Sequence, residues 1–118
     1  MPAGNLKLTI EQGAKFYQKF TWRDSKGAVV NLTDYTALLQ IRKDKEDKEW
    51  LIELKDTAGI TLGGEAGTVE LRINSADTTS VSWMKAVYDL KLTDPAGEAI
   101  RLLEGEVEVS YQVSKVDD

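Results

Sequence analysis

Alternation of apolar and polar residues with a period of two is the main pattern along this 118-residue chain. Leu6, Leu8 and Ile10 alternate with polar residues, which places all three on one face of a first strand. The other alternating stretches are residues 16–22, 36–43, 50–54, 69–73, 86–92 and 100–111. About seven to nine short strands with turn signals between them are typical of a sandwich or a barrel. The pattern therefore predicts an all-β fold, and of these two architectures we favour an antiparallel immunoglobulin-like β-sandwich.

Turn residues and one short polar segment interrupt the strands. Residues 24–27 and 94–97 each end in glycine, and Pro95 suits the second position of a turn. After the first turn, Val29 and Val30 predict a short return strand, which leads into a polar corner at residues 31–35. Only the region near residues 75–80 is predicted to be helical, with Asn74 or Ser75 as its cap.

The last predicted strand contains a change of parity. Ile100 and Leu102 fall on one face, whereas Leu103, Val107, Val109 and Tyr111 fall on the other. Such a change means either a β-bulge, which inserts one residue, or a strand that crosses between the sheets. We expect the irregularity near residues 102–105.

Composition limits the chemistry that this chain can perform. It has neither cysteine nor histidine, which excludes disulfides, thiolate metal sites and the commonest general base. Its formal net charge is −5, and the charges are interspersed, so no basic stripe for nucleic acid is present. We expect no enzymatic activity, no metal, no cofactor and no small-molecule substrate. The first residues resemble no secretory signal, and no apolar stretch is long enough to cross a bilayer.

Length and charge distribution predict how the chain is organised. With 118 residues, it is expected to form one domain over residues 1–118, with loose ends at about 1–4 and 114–118. Residues 42–49 are eight consecutive charged residues, which we place at an exposed hairpin end because such a run cannot be core.

Four aromatic or methionine side chains are candidates for contact with a partner. Trp83 and the adjacent Met84 follow the predicted helix, Trp50 lies beside the charged run, and Tyr17 occupies the polar face of its strand. Aromatic residues and methionine are enriched at interface cores. The alternative for each tryptophan is structural, a ring that closes an end of the sandwich. Trp22 shares a face with Phe16 and Phe20 and is predicted to be core.

Several of these features occur together, and in the same order, in one known family. They are Glu11-Gln12-Gly13, Trp22 with Asp24, Gly27, Leu32-Thr33-Asp34-Tyr35, Ile41-Arg42, the hairpin and helix of residues 59–81, and residues 88–90 and 102–110. Over residues 6–113 the chain resembles the N-terminal domain of phage upper baseplate proteins and related small tail-associated virion proteins.

The resemblance implies a structural role in a bacteriophage or prophage virion, in the tail, baseplate or neck. Such a protein is made in the bacterial host cytoplasm and becomes part of the particle. Its expected partners are other virion proteins and copies of itself, with no nucleic acid and no membrane. The family pattern brings no catalytic residues.

A second hypothesis from a different class also fits the sequence. Trp50 or Trp83, if exposed, offers a flat apolar ring on which a sugar can stack. The chain would then be a stand-alone carbohydrate-binding β-sandwich module.

Overall fold

A strand forms within each alternating stretch in the computed structural model, which describes residues 4–113. The strands are β1 (Gly4–Asn5), β2 (Leu8–Glu11), β3 (Phe16–Thr21), β4 (Thr36–Arg42), β5 (Ile52–Lys55), β6 (Ile60–Leu62), β7 (Thr68–Ile73), β8 (Lys85–Thr93) and β9 (Ala99–Ser110). One α-helix, α1 (Ser75–Thr79), and a 3₁₀ turn (Gly64–Ala66) complete the elements of the described residues. The predicted all-β fold with a short helix near residues 75–80 is confirmed.

The strands form two sheets that pack face to face. In the larger sheet the order is β9-β8-β4-β5. Both β1 and β2 lie along the outer edge of β9, one after the other. The smaller sheet has the order β3-β7-β6. The shared core lies between these two layers.

The sequence prediction of a purely antiparallel sandwich is wrong at one edge. Both β1 and β2 run parallel to β9, with Leu8 opposite Val107 and Ile10 opposite Val109. Parallel neighbours need a long connection between them, and here nearly the whole domain forms that connection. Gly4 belongs to β1, so the predicted loose N-terminal end does not include it. The rest of the predicted loose ends, residues 1–3 and 114–118, lies outside the described residues.

Buried side chains come from both sheets and follow the predicted inner faces. Burial of these side chains is the main contribution that holds the two layers together. The core comprises Leu8, Ile10, Phe16, Leu32, Ala37, Leu39, Ile41, Leu54, Ile60, Val69, Leu71, Ile73, Val81, Ala86, Tyr88, Leu90, Leu92, Val107 and Val109. Trp22 packs against this core in a half-buried position, as expected, and contacts the ring of Tyr35 edge to face.

The parity change in β9 is a β-bulge. Leu90 of β8 pairs with Leu103, whereas the next residue, Lys91, pairs with Arg101. Leu102 is therefore the extra residue, and β9 stays in one sheet along its whole length. Since Leu102 and Leu103 both pack against the core, the bulge lets two consecutive side chains reach the interior.

The two predicted glycine turns have the same hydrogen-bond pattern. Asp24 accepts the N–H groups of Lys26 and Ala28 on its Oδ1 atom, and Asp94 accepts those of Ala96 and Glu98 in the same way. In each turn the glycine three residues after the aspartate adopts φ near +90°, and its N–H donates to the aspartate carbonyl. The aspartate and the glycine are both required because one bonds the loop backbone and the other tolerates the left-handed conformation.

Two local predictions are corrected. Val29 and Val30 do not form a strand, because Val29 makes only an isolated bridge with Arg23. Asn74 occupies the N-cap of α1, but its side chain makes no capping hydrogen bond. The helix is held instead by Thr78, which is fully buried and donates its hydroxyl to the carbonyl of Ala14 at 2.8 Å.

Candidate interaction surfaces

The four predicted contact residues lie in three separate places. Trp50 is in the connection between β4 and β5, Trp83 and Met84 lie between α1 and β8, and Tyr17 is on the outer face of β3. No single site brings them together. Each place is therefore described as its own surface.

Trp50 lies beside a groove of about 580 Å³ between β5, the end of β7 and α1. Its ring is 50 % exposed, and Leu51 next to it is 37 % exposed. Trp50 precedes β5 rather than opening it as predicted. The charged residues before it lie in an exposed connection, as expected. Arg72 and Asp77 give the groove polar groups of both signs, and its shape is open rather than a closed ligand cavity.

Trp83 and Met84 differ in accessibility although they are adjacent. Trp83 is half-buried and packs against the core, so the structure favours the structural alternative for its ring. Met84 is 59 % exposed at the end of the sandwich. Of this predicted pair, only Met84 offers a largely open apolar surface.

Two exposed apolar residues follow the end of β9 and were not among the predicted contact residues. Tyr111, expected on the inner face, is 44 % exposed and donates its hydroxyl to the carbonyl of Ser82 at 3.1 Å, and Val113 is 97 % exposed. The Val109 N–H donates to the Met84 carbonyl, so the register of β8 and β9 continues beyond the last residue pair. The alternation of Val107, Val109, Tyr111 and Val113 was the signal that could have identified this apolar end.

Gln12 connects the segments that surround this end. Its amide nitrogen donates to the carbonyl of Val81 at 2.9 Å, and its amide oxygen accepts the N–H of Gln112 at 3.1 Å. The next residue, Gly13, has φ +86° and faces the Gln112 side chain so closely that a Cβ would clash with it. The Glu-Gln-Gly element noted in the sequence therefore has a structural role at a crowded corner.

Within residues 4–113, the outer edge of β3 carries backbone groups that no other strand pairs with. Alternate residues of an antiparallel strand direct their N–H and C=O groups to opposite sides. The Trp22 N–H bonds the Gly67 carbonyl at 2.8 Å, which continues the β3–β7 ladder, so even-numbered residues face β7. Tyr17, Lys19 and Thr21 therefore direct their backbone groups outward. A groove of about 350 Å³ lies between this edge and β2.

The connection between β5 and β6, on the other side of the sandwich, is held by backbone hydrogen bonds. The residues between β5 and β6 form a tight turn in which Lys55 and Ala58 exchange two backbone hydrogen bonds, each 2.8 Å long. Gly59 then accepts the Arg72 N–H, also at 2.8 Å. The outward backbone groups of Lys55 are thus satisfied within the chain, unlike those along β3.

Polar side chains beside the β3 edge form a small network. The Tyr17 hydroxyl donates to Glu70 Oε1 at 2.5 Å, and the Arg72 guanidinium lies 5.7 Å from the Tyr17 ring centre. The hydrogen bond to Glu70 raises the pKa of the Tyr17 hydroxyl above its ordinary value. Lys19 is directly opposite Glu70 in the ladder, yet within residues 4–113 it makes no ion pair.

The other charged contacts are dispersed over the surface. Lys7 and Glu108 form an ion pair of 2.5 Å between β2 and β9, and this hydrogen-bonded pair raises the pKa of Lys7 and lowers that of Glu108. Among residues 4–113, no three histidine, cysteine or acidic side chains are placed to hold a metal ion. Within the same residues, no helix is long and apolar enough to span a bilayer.

Comparison with known families gives one match that covers most of the chain. A family model described as "LtfC-like, beta-sandwich domain" matches residues 2–110. This family is associated with phage tails, as is the upper baseplate family that the sequence resembles, but the two families are not the same. No curated protein matches the chain.

Proposed function

We propose that this protein, which belongs to the phage tail-associated LtfC-like β-sandwich domain family, is a virion component that acts by assembly rather than by catalysis. The family match over residues 2–110 is the observation that carries the proposal. Its place would be the tail, the baseplate or the neck of the particle, after synthesis in the cytoplasm of the host bacterium. Its partners would be other virion proteins and further copies of itself.

The distribution of exposed apolar groups supports an assembly role. Met84 and Tyr111 lie at one end of the sandwich, and Trp50 with Leu51 lies at one side. Single exposed apolar residues are normal, but exposed aromatic and methionine side chains are the types that anchor protein interfaces. Two such surfaces on one small domain would let it contact two neighbours at once, as a subunit within a ring or stack does.

Mass spectrometry of gradient-purified particles tests the proposal directly. Peptides of this protein are expected at a constant ratio to the major tail proteins after high-salt washing, while a host cytosolic protein serves as the contamination control. Particles from a phage with the gene deleted should lack a tail structure, and expression from a plasmid should restore it. Complete particles without this protein would contradict the proposal.

Carbohydrate binding remains the second candidate because Trp50 is half-exposed beside the groove at β5. Trp83 no longer supports it, since its ring packs against the core. A glycan array followed by fluorescence titration separates the two functions. Saturable quenching that is lost in W50A and retained in W83F would favour the binding module, whereas absence of any glycan response would leave assembly as the better explanation.

A further inference from the structure

The open edge of β3 is suited to pairing with another strand. Its three outward-facing residues provide three N–H donors and three C=O acceptors along a straight segment of about 20 Å. The groove beside β2 leaves room for an added strand, and the return segment after Trp22 lies on the β7 side, where Val29 contacts the Gly67 position. The edge is therefore accessible as well as unpaired.

The sequence of β3 distinguishes among the symmetric ways in which two copies could pair. An antiparallel pair centred on Lys19 would place the two lysines directly opposite each other, which is unfavourable. A pair centred on Tyr17 would place Lys19 opposite Lys15, with the same result. A pair centred on Phe20 would place Lys19 opposite Thr21, without an acidic partner, and would extend past the end of β3 at Thr21 into the turn at Asp24. Centring on Gln18 avoids all three problems.

The register centred on Gln18 brings complementary side chains together. On the outer face, Lys19 of the second copy would lie opposite Tyr17, within reach of the Glu70 carboxylate that the Tyr17 hydroxyl bonds. Lys19, which makes no ion pair in the described chain, would thereby gain an acidic partner. On the inner face, Phe16 would lie opposite Phe20, and Gln18 opposite its own copy. Because the pair is two-fold symmetric, each contact away from the axis occurs twice.

We propose that two copies of this chain associate through their β3 edges, antiparallel and centred on Gln18, to join their smaller sheets into one six-stranded sheet. The inference rests on the proposed function, because it names the contact through which self-assembly would occur. A second copy is the occupant that this edge fits best, since the strand complements itself in charge and in side-chain size.

Single-cysteine cross-linking tests the register, and the absence of natural cysteine makes the experiment clean. In the proposed register the two Gln18 residues form a non-hydrogen-bonded pair with Cα atoms about 4.5 Å apart, which a disulfide can bridge. Purified Q18C is expected to form a disulfide dimer as its main species on mild oxidation. K19C is the matched control on the same strand, and it should remain at the background level. Dimer formation by K19C, or its absence in folded Q18C, would overturn the proposal.

A charge exchange provides an independent test that leaves the strand backbone unchanged. K19E places two acidic groups beside each other across the interface and is expected to raise the dimer Kd about tenfold, measured by analytical ultracentrifugation. K26E is the control, because it makes the same change in the exposed turn after β3. The double variant K19E/E70K should recover part of the lost affinity. Equal Kd values for K19E and K26E would contradict the inference.

The two proposals fail in different ways. If the protein is found in particles but Q18C does not cross-link there, the β3 contact is wrong and the virion role stands. If the protein forms the Q18C dimer but is absent from particles, the contact is right and the proposed function is wrong. A chain that is monomeric at every concentration tested would show that Lys19 protects the edge from pairing, which also overturns the inference.

Discussion

At the residue scale, a contact between three residues explains how the first strands are attached to the last one. The buried Tyr88 donates its hydroxyl to the carbonyl of Leu6 at 2.5 Å. Gly105 lies opposite Tyr88 in the ladder, and the Leu6 backbone passes directly over it. The missing side chain at position 105 makes room for the chain to cross from β1 to β2, and the tyrosine fixes it there.

Tyr88 predicts a specific alkaline behaviour. Burial raises the pKa of its hydroxyl from 10.0 to about 12. Because the folded state holds this proton more tightly, the associated stability is complete below pH 10 and is lost as the pH rises to 12. Y88F should reduce the free energy of unfolding by about 1 kcal/mol at pH 7 through loss of the hydrogen bond. It should also show a shallower decline above pH 10.

Urea unfolding at pH 7 and at several values above pH 10 measures both effects for Y88F. Y111F serves as the control, since Tyr111 is 44 % exposed. An unchanged alkaline slope in Y88F would show that Tyr88 is not the group responsible.

Gly105 predicts a large cost for a small substitution. A Cβ at this position would lie 2.5 Å from the Leu6 carbonyl oxygen, which is backbone and cannot move aside easily. G105A is expected to lose about 1–3 kcal/mol of unfolding free energy. The control is G4A, whose Cβ would meet the end of the Leu103 side chain at 3.2 Å and the Leu102 carbonyl oxygen at an ordinary contact distance of 3.6 Å. Equal midpoints for the two variants in thermal unfolding would contradict this explanation.

At the scale of elements, the sequence predicts where strands lie but not which strands become neighbours. Alternation identified β4 and β8 because each buries every second residue, and β3 because its more covered residues alternate with exposed ones. It contained no information about the parallel pairing of β2 with β9, since Leu8 and Val107 are distant in the chain. The same limit applies to the interaction sites: Trp83 carries a contact-type side chain, and only the fold shows that its ring is packed inward. Tyr111 was predictable from its parity, but its exposure depends on where the opposite sheet ends.

The bulge in β9 predicts that two deletions have very different effects. Removing Leu102 takes out the unpaired residue, so Arg101 and Leu103 can keep their partners Lys91 and Leu90. The variant should fold with a loss of about 1–2 kcal/mol from reduced apolar burial. Removing Glu106 instead shifts the register by one residue, so that the buried side chains on one side of the deletion would point to the solvent. This variant should not fold. Circular dichroism and thermal unfolding of both variants provide the comparison, and similar stabilities would contradict the assigned bulge.

At the scale of the whole molecule, one core joins the two sheets, and the three tryptophans lie around it in different places. Trp22 contacts Tyr35, Trp50 borders the groove at β5, and Trp83 packs near the end of the sandwich. If residues 1–118 are one domain, all three should report the same unfolding transition. Three variants that each keep one tryptophan, with phenylalanine at the other two positions, are expected to give a fluorescence midpoint equal to their own circular dichroism midpoint. An earlier fluorescence transition for any single tryptophan would indicate a part that unfolds separately.

The parallel arrangement of β2 and β9 also determines how the domain responds to mechanical load. If neighbouring molecules pull the chain at Gly4 and at Ser110 in opposite directions, the two strands are drawn lengthwise past each other. The hydrogen bonds between them are then stressed together rather than broken one by one, as they would be in a hairpin opened from its end. A tensile force applied at the two ends of the domain is therefore resisted first, and most strongly, by the pairing of β2 with β9.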